Sequence, residues 1–282
     1  MAGVMQMICA WKQLLSVLPQ EISTQIDPMG REELQELRLR VNSPPEMITG
    51  TGSVWLRGVV RQEDVNYVVN AASRYSPWCA ATAAQGFITA PGGHRIGICG
   101  DAVSRGDDRT GSFQAIRSLS IRVARDYPGI SGNISDAGES VLILGAPGWG
   151  KTTLLRDLAR RIADNRIVCV VDERGELFPE GIARGKRMDV LCGFSKPRGL
   201  EMLLRTMGPE YIAMDEITAE ADCAGVIQAA NCGVRLIATA HASSMRDFQM
   251  RKLYRELINW NVFSVIVLLH KDKSYQIERV KS

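Results

Sequence analysis

Short apolar runs alternate with amphipathic stretches throughout the second half of the chain. Apolar runs of about four to eight residues predict buried strands, and apolar residues at three- and four-residue spacing predict helices. The predicted strands are Val141–Leu144, Ile167–Val171, Tyr211–Met214, Leu236–Thr239 and Val262–Leu269. The predicted helices are Thr152–Ala163, Gly199–Met207, Ala221–Asn231 and Arg246–Ile258. Strands that alternate with helices predict a parallel sheet with crossover helices.

The first half of the chain has a different pattern. It mixes short strands and helices with many turn signals, such as Pro44-Pro45. Residues 127–138 are rich in chain-breaking residues and predict a linker. We therefore expect an N-terminal α+β domain over residues 1–126 and an α/β domain over residues 139–282.

Each of the first four strands predicted in the second half is followed by glycine or polar residues. These residues are Gly145, Asp172-Glu173, Asp215-Glu216 and His241. In an open α/β sheet, ligands bind outside the carboxyl ends of the strands. We expect these residues to converge at one edge of the sheet.

The segment after Val141–Leu144 is a phosphate-binding loop by its pattern. It reads G-x-x-x-x-G-K-T between an apolar strand and a helical pattern. Glycines let successive backbone N–H groups point at an anion, and the helix N-terminus adds positive potential. Lys151 can reach the β- and γ-phosphates of a nucleotide, and the Thr152 hydroxyl can bind Mg²⁺. The predicted nucleotide-binding residues are Gly145, Ala146, Pro147, Gly148, Trp149, Gly150, Lys151, Thr152 and Thr153.

Two pairs of carboxylates follow later strands. Asp215 is predicted to hold Mg²⁺ and Glu216 to polarise the attacking water. Glu173 could share or replace the role of Glu216, so which of the two is the main base stays open. In the alternative interpretation, Asp172 caps a turn and Glu173 forms a solvated ion pair with Arg174.

One histidine and two arginines complete the predicted site. In RecA-like topology, the strand that ends at His241 lies between the phosphate-loop strand and the Asp215 strand. His241 is therefore predicted to contact the terminal phosphate. Sites of this kind usually need a further positive charge, often from a neighbouring subunit. Arg122 and Arg125 are candidates, although a solvated sheet face explains them equally well.

These motifs predict an α/β fold: a RecA-like P-loop NTPase core with a mainly parallel sheet, preceded by a smaller mixed α+β N-terminal domain. ATP and Mg²⁺ are the expected cofactors. The composition agrees with a globular protein, with 45% hydrophobic and 23% charged residues. The net charge of +3 does not indicate nucleic-acid binding. The seven cysteines are scattered along the chain, which argues against a zinc site and favours a reducing compartment.

Several further segments carry a family resemblance. They are Glu36-Leu37-Arg38-Leu39-Arg40, Gly92-Gly93-His94-Arg95-Ile96-Gly97, Gly148–Asp157, Val171–Arg174, Asp189-Val190-Leu191 and Met214–Ile217. With them the chain resembles the stage III sporulation AA family of the secretion ATPase superfamily, from about Glu33 to Lys271. The segment Gly193–Gly199 departs from the loop typical of that family.

The resemblance implies an ATPase that serves the channel complex between mother cell and forespore in endospore formation. It implies a homo-oligomeric ring, expected to be a hexamer, with membrane-embedded channel proteins as partners. The expected location is cytoplasmic, on the mother-cell side, with membrane contact only through partners. The resemblance also implies that an acidic box at Asp172-Glu173-Arg174 and a histidine box near His241 contact ATP.

Other functions stay possible from the sequence. One is an ATP-dependent nucleic-acid-binding motor, although no stable nucleic-acid partner is expected. Another is an ATP-gated scaffold with little turnover. A GTPase is disfavoured because no guanine-reading N-K-x-D motif follows the core motifs. What the hydrolysis drives, and whether the ring assembles alone, are left open.

Overall fold

The computed structural model describes residues 7–73, 83, 86–102, 113–135, 138–179 and 181–280. Its contacts divide the chain into two compact units. We call Met7–Asp126 together with Pro179–Ile182 the N-terminal unit, and Tyr127–Phe178 together with Ala183–Ser282 the C-terminal unit. In the part of the chain so described, no helix is long and apolar enough to cross a membrane.

The N-terminal unit contains an antiparallel sheet with helices on one face. Its helices are α1 (Trp11–Ser16), α2 (Gln20–Ile26) and α3 (Gln62–Ser73). Its strands are β1 (Leu34–Arg40), β2 (Glu46–Thr49), β3 (Gly52–Trp55), β4 (Phe87–Thr89), β5 (Arg95–Ala102) and β6 (Phe113–Arg122), in the spatial order β3-β2-β1-β6-β5-β4. Alternating side chains such as Leu37 and Ile121 are fully buried and form one core with Leu14 and Val65 of the helices.

His94 is a buried structural residue of this unit. It is 0% exposed, its Nδ1 accepts the Ala124 N–H (3.1 Å), and its Nε2 therefore donates to the Ala10 carbonyl (3.1 Å). Burial lowers the pKa of His94 below its ordinary value. As the pH falls, the unfolded chain therefore takes up a proton on this imidazole at a higher pH than the folded chain does. The stabilisation that the neutral, buried His94 gives the fold is complete above pH ~6.5 and is lost as the pH falls from that value through the lowered pKa of the folded state.

We expect acid to weaken the N-terminal unit through His94. Lowering the pH from about 7.5 to about 5.5 should reduce the free energy of unfolding, with a slope from this group of at most about 1.4 kcal/mol per pH unit. His94→Gln should remove that slope. Urea unfolding at a series of pH values measures it, and equal slopes in both proteins would contradict the assignment.

The C-terminal unit contains a mainly parallel sheet. Its strands are β7 (Val141–Leu144), β8 (Val168–Asp172), β9 (Met188–Cys192), β10 (Tyr211–Met214), β11 (Arg235–Ala240), β12 (Val265–Leu269) and β13 (Tyr275–Arg279). Its helices are α4 (Lys151–Ile162), α5 (Lys196–Thr206), α6 (Glu220–Asn231), α7 (Met245–Met250) and α8 (Arg255–Asn259). The spatial order of the strands is β13-β12-β7-β11-β10-β8-β9, and only β13 pairs antiparallel.

This order confirms the predicted RecA-like core, because β11 lies between the phosphate-loop strand β7 and the Asp215 strand β10. Strands β7 and β10 have the predicted bounds. The ends of the central strands are level, since Met214 is in register with both Val171 and Ala238. The residues that follow these strands therefore meet at one edge, as predicted.

Three features of this unit differ from the sequence prediction. Strands β9 and β13 were not expected, because both are partly exposed edge strands of mixed polarity. The predicted helix Arg246–Ile258 is wrong: the backbone turns at Arg251, and the chain divides into α7 and α8. The broken form is stabilised by a local contact, in which Tyr254 stacks on Phe248, and by a long-range hydrogen bond from the Tyr254 hydroxyl to the Ile217 carbonyl.

The segment predicted to be a linker makes ordered contacts within the C-terminal unit. The buried Asp157 carboxylate of α4 accepts the backbone N–H groups of Gly129 (2.9 Å) and Ser131 (2.8 Å). Arg161 donates to the Ser131 and Ile134 carbonyls. The chain-breaking residues of this segment thus shape a packed turn on α4.

Candidate nucleotide site

The phosphate-binding loop connects β7 to α4 at the carboxyl edge of the sheet. Gly150 directly precedes the helix with a φ of +102°, a conformation that strongly favours glycine. The Trp149 N–H donates to the Ala146 carbonyl (3.3 Å), and Lys273 donates to the Gly148 carbonyl from the turn between β12 and β13. The loop is therefore a closed turn over a helix N-terminus, which is the geometry of an anion site.

Lys151 lies inside this turn, where it is 5% exposed. Its ammonium donates to the Ala146 carbonyl (3.2 Å) and to Nδ1 of His241 (3.1 Å). Burial lowers the pKa of Lys151, and the nearby carboxylates of Glu216 and Asp215 oppose that shift. The lysine is thus held in the site by groups that a phosphate could replace.

His241 joins Lys151 to Glu216. An ammonium can only donate, so Nδ1 of His241 accepts, and the proton of this imidazole is on Nε2. Nε2 lies 2.9 Å from Oε1 of Glu216, to which it donates. The three side chains form one hydrogen-bonded chain across the site.

Glu216 has an unusual backbone conformation. Its φ is +49°, which costs a non-glycine residue about 1–3 kcal/mol. The Glu216 N–H donates to Oγ1 of Thr239 (2.8 Å) and to Oδ1 of Asp215 (3.1 Å). These bonds hold the Glu216 backbone in this conformation, and its carboxylate lies against His241.

Thr152 and Asp215 form the part of the site that suits a metal ion. The Thr152 hydroxyl donates to Oδ2 of Asp215 (2.7 Å), and the Thr239 hydroxyl donates to Oδ1. A hydroxyl beside a carboxylate is a hard-oxygen pair of the kind that Mg²⁺ prefers. No described residues form a group of three or more His, Cys, Asp or Glu placed to hold a metal alone. Mg²⁺ typically uses one or two carboxylates plus phosphates and water, so the residues fit this ion.

Asp172 and Glu173 have separate roles in the structure. The buried Asp172 carboxylate accepts the N–H groups of Glu176, Leu177 and Phe178 (2.9, 2.9 and 3.1 Å) and so organises the loop after β8. Burial raises the pKa of Asp172. This geometry supports the alternative in which Asp172 caps a turn. The other half of that alternative, a Glu173–Arg174 pair, is not what the contacts show, because Glu173 binds Lys196 (2.7 Å).

A cavity of about 80 Å³ lies between these groups. Carboxylates dominate its lining, and Lys196 is also in its wall. The polar lining residues are Thr152, Asp172, Glu173, Arg174, Glu176, Lys196, Asp215, Glu216 and Thr218. Sequence reasoning missed Lys196, Lys273 and Thr239. A lysine at a helix start or in a turn is normally a surface residue, so the sequence around Lys196 and Lys273 carries no signal that they contact the site.

The two candidate arginines lie in the N-terminal unit and differ in their contacts. Arg122 ends β6 on the polar face of the sheet, in a depression lined by four arginines: Arg38, Arg40, Arg95 and Arg122. The Arg125 guanidinium instead donates to the carbonyls of Arg31 (3.1 Å), Glu32 (3.2 Å) and Leu34 (2.6 Å). Both roles at a nucleotide stay predictions, and only Arg122 presents its side chain on an open face.

Comparisons with known proteins agree with this fold. The model of the family described as sporulation stage III, protein AA matches residues 11–280. The stage III sporulation protein AA of Bacillus subtilis (strain 168) is 31% identical over 281 residues, covering 93% of this chain and 91% of that protein. The protein ycf45 of Cyanidium caldarium is 29% identical over 202 residues, covering 61% and 60%.

Two solved structures show the same architecture. The ATPase DotB of Legionella pneumophila has a TM-score of 0.60 and 14% identity, over 93% of this chain and 81% of its own. The pilus retraction motor PilT, solved with bound ADP, has a TM-score of 0.65 and 13% identity, over 93% and 83%. At these identities the likeness establishes the fold alone, which is the RecA-like architecture that DotB and PilT share.

Proposed function

The chain belongs to the sporulation stage III, protein AA family, and on this premise we propose that it is a Mg²⁺-dependent ATPase of the secretion-motor type. Its hydrolysis of ATP energises or regulates assembly of the channel complex between mother cell and forespore. The observation that carries the proposal is the hydrogen-bonded chain Lys151–His241–Glu216 beside the Thr152–Asp215 pair.

The phosphate-binding loop receives the triphosphate. The N-terminus of α4 and the loop N–H groups supply positive potential, and Lys151 exchanges its contacts with Ala146 and His241 for phosphate oxygens. Thr152 and Asp215 would hold Mg²⁺, which neutralises charge on the phosphates when bound. In this proposal the loop, Lys151, Thr152 and Asp215 bind the phosphates from one edge of the sheet.

Glu216 orients the attacking water and accepts its proton. His241 donates to Glu216 and touches Lys151, so it lies between the residue that binds the phosphates and the residue that handles the water. When Lys151 moves to a phosphate, Nδ1 of His241 loses its donor. Nucleotide binding is thereby linked to the position of Glu216.

In this proposal the protein acts as a homo-oligomeric ring, expected to be a hexamer. It works in the cytoplasm on the mother-cell side and reaches the membrane only through membrane-embedded channel proteins. Membership of the sporulation family and the fold of the secretion ATPases support this picture.

The proposal is tested by measuring phosphate release from ATP in the presence of Mg²⁺, with and without EDTA. The same assay is repeated over a range of protein concentrations, and the size of the protein in solution is measured alongside. We expect EDTA-sensitive hydrolysis whose rate per subunit rises with protein concentration. Tight ATP binding without turnover, even with channel proteins present, would instead favour the scaffold. A salt-dependent shift in DNA or RNA mobility would favour the nucleic-acid motor.

The two candidate arginines should give different phenotypes. Arg122→Ala is expected to lower the hydrolysis rate at least about tenfold with little change in melting temperature, since an arginine at transferring phosphate contributes 10³ or more in related sites. Arg125→Ala should lower the melting temperature, because three backbone carbonyls lose their donor. Arg117→Ala, at an exposed ion pair with Asp101, is the control. Equal rates for Arg122→Ala and Arg117→Ala would exclude Arg122 from the site.

A further inference from the structure

Lys196 is a buried cation in the wall of the nucleotide-site cavity, and no step above uses it. It begins α5, with its side chain 11% exposed. Its Nζ lies 2.7 Å from Oε2 of Glu173 and 3.8 Å from Oδ2 of Asp222. Burying an ammonium is costly unless carboxylates surround it, so these contacts determine where the side chain lies.

The two carboxylates come from separate parts of the fold. Glu173 follows β8 directly, in the loop that Asp172 organises. Asp222 is in the first turn of α6, where its Oδ2 also accepts the N–H groups of Thr218 (2.9 Å) and Ala219 (3.1 Å). Lys196 therefore connects the loop after β8 to the chain that follows Asp215 and Glu216.

Close packing of α5 on the sheet keeps Lys196 in this position. A Cβ atom added to Gly199 would lie 2.7 Å from Cγ1 of Val171, so α5 approaches β8 as closely as a glycine permits. Pro197 follows Lys196 in the first turn, where proline is favoured. The Lys196 ammonium is thus supplied from a rigid helix start.

The partners of the two candidate bases differ. Oε2 of Glu173 is bound to a buried ammonium, which holds this carboxylate at the wall of the cavity. Glu216 instead accepts one hydrogen bond from Nε2 of His241 (2.9 Å), a longer contact with an imidazole and not with a buried ammonium. The contacts therefore separate the two glutamates by function.

We propose that Lys196 is a positioning residue that holds Glu173 out of the reaction, neutralises its charge beside the metal-binding pair, and leaves Glu216 as the sole base. The proposal rests on the proposed function. It predicts that the harm done by removing Lys196 comes from Glu173, which would then be an unpaired carboxylate in the wall shared with Thr152 and Asp215.

The test is a set of full-length variants: Lys196→Met, Lys196→Arg, Glu173→Gln and the double variant Lys196→Met/Glu173→Gln. Lys196→Met should lower kcat about tenfold and shift the Mg²⁺ concentration for half-maximal rate at least about threefold, with KM for ATP nearly unchanged. Lys196→Arg should retain most activity. The double variant should regain the rate and the Mg²⁺ dependence of Glu173→Gln alone.

Lys186→Met, at an exposed lysine, is the matched control, and thermal melting checks that each variant folds. A purely structural ion pair would change melting temperatures but not the Mg²⁺ dependence, and that result would overturn the proposal. Loss of hydrolysis in Glu173→Gln as severe as in Glu216→Gln would also overturn it.

A second measurement separates this proposal from the proposed function. Mn²⁺ binding in the presence of a non-hydrolysable ATP analogue, followed by electron paramagnetic resonance, reports on the metal site without turnover. If the wild type fails to hydrolyse ATP, the proposed function fails. The role of Lys196 is still supported if Lys196→Met alters the Mn²⁺ affinity and the added change Glu173→Gln reverses that alteration. An unchanged Mn²⁺ affinity overturns it.

Discussion

Glu216→Gln is expected to lower the rate of ATP hydrolysis at least about a hundredfold while ATP binding is retained. The amide keeps the size of the carboxylate and can still accept from Nε2 of His241, but it cannot take a proton from water. A hundredfold loss corresponds to about 2.7 kcal/mol in the activation free energy. Single-turnover phosphate release measures the rate, and equilibrium titration with a fluorescent ATP analogue measures the affinity.

Glu220→Gln is the control for this variant, because Glu220 is an exposed glutamate at the start of α6. It should behave as the wild type. Unchanged phosphate release in Glu216→Gln would remove Glu216 from its assigned role. A loss of analogue binding as large as the loss of rate would show that Glu216 acts on binding instead of on the water.

Lys151→Ala should weaken ATP binding by about ten- to a hundredfold and reduce hydrolysis to background. Hydrogen bonds to charged groups contribute about 1.5–3 kcal/mol, and the lysine is the buried cation of the loop that can reach the β- and γ-phosphates. The same titration and phosphate assay measure both effects.

The matched control is Lys186→Ala, which removes an exposed lysine. Thermal melting of Lys151→Ala must also be compared with that of the wild type, because the change leaves His241 and the Ala146 carbonyl without a donor they have in the structure. A folded Lys151→Ala protein that binds ATP as the wild type does would contradict the assignment of the phosphate-binding loop.

The central strands of the core could be predicted from the sequence because they are buried on both faces. In Val141–Leu144 and Tyr211–Met214 every side chain is buried, so an unbroken apolar run marks each strand. Edge strands such as Met188–Cys192 carry polar residues, and such a strand forms because it pairs with the neighbouring strand of the sheet. Local pattern therefore identifies the centre of this sheet and misses its margins.

The candidate site divides in a similar way. Lys151 was predictable because it lies within the phosphate-loop motif. Asp215, Glu216 and His241 were predictable because they come just after recognisable strands, and strand ends in a parallel sheet share one edge. The link between Lys151 and Glu216 through His241 depends on side-chain direction. The positive φ of Glu216 and the hydrogen bond from its N–H to Oγ1 of Thr239 accompany this arrangement, and neither can be read from the sequence.

The sequence by itself determined that this protein has a phosphate-binding loop on a parallel α/β core, because the motif and its flanking strand and helix are contiguous in the chain. Further segments outside that loop, such as Glu36–Arg40 and Gly92–Gly97, carried the resemblance to the stage III sporulation AA family. Only the tertiary structure decided which charges are paired. In the structure Lys196 pairs with Glu173, the Arg125 guanidinium donates to backbone carbonyls, and the Asp172 carboxylate accepts backbone N–H groups of a turn. The reason is physical: pairing of buried charges depends on distances of a few ångströms between residues far apart in the chain, and only packing sets those distances.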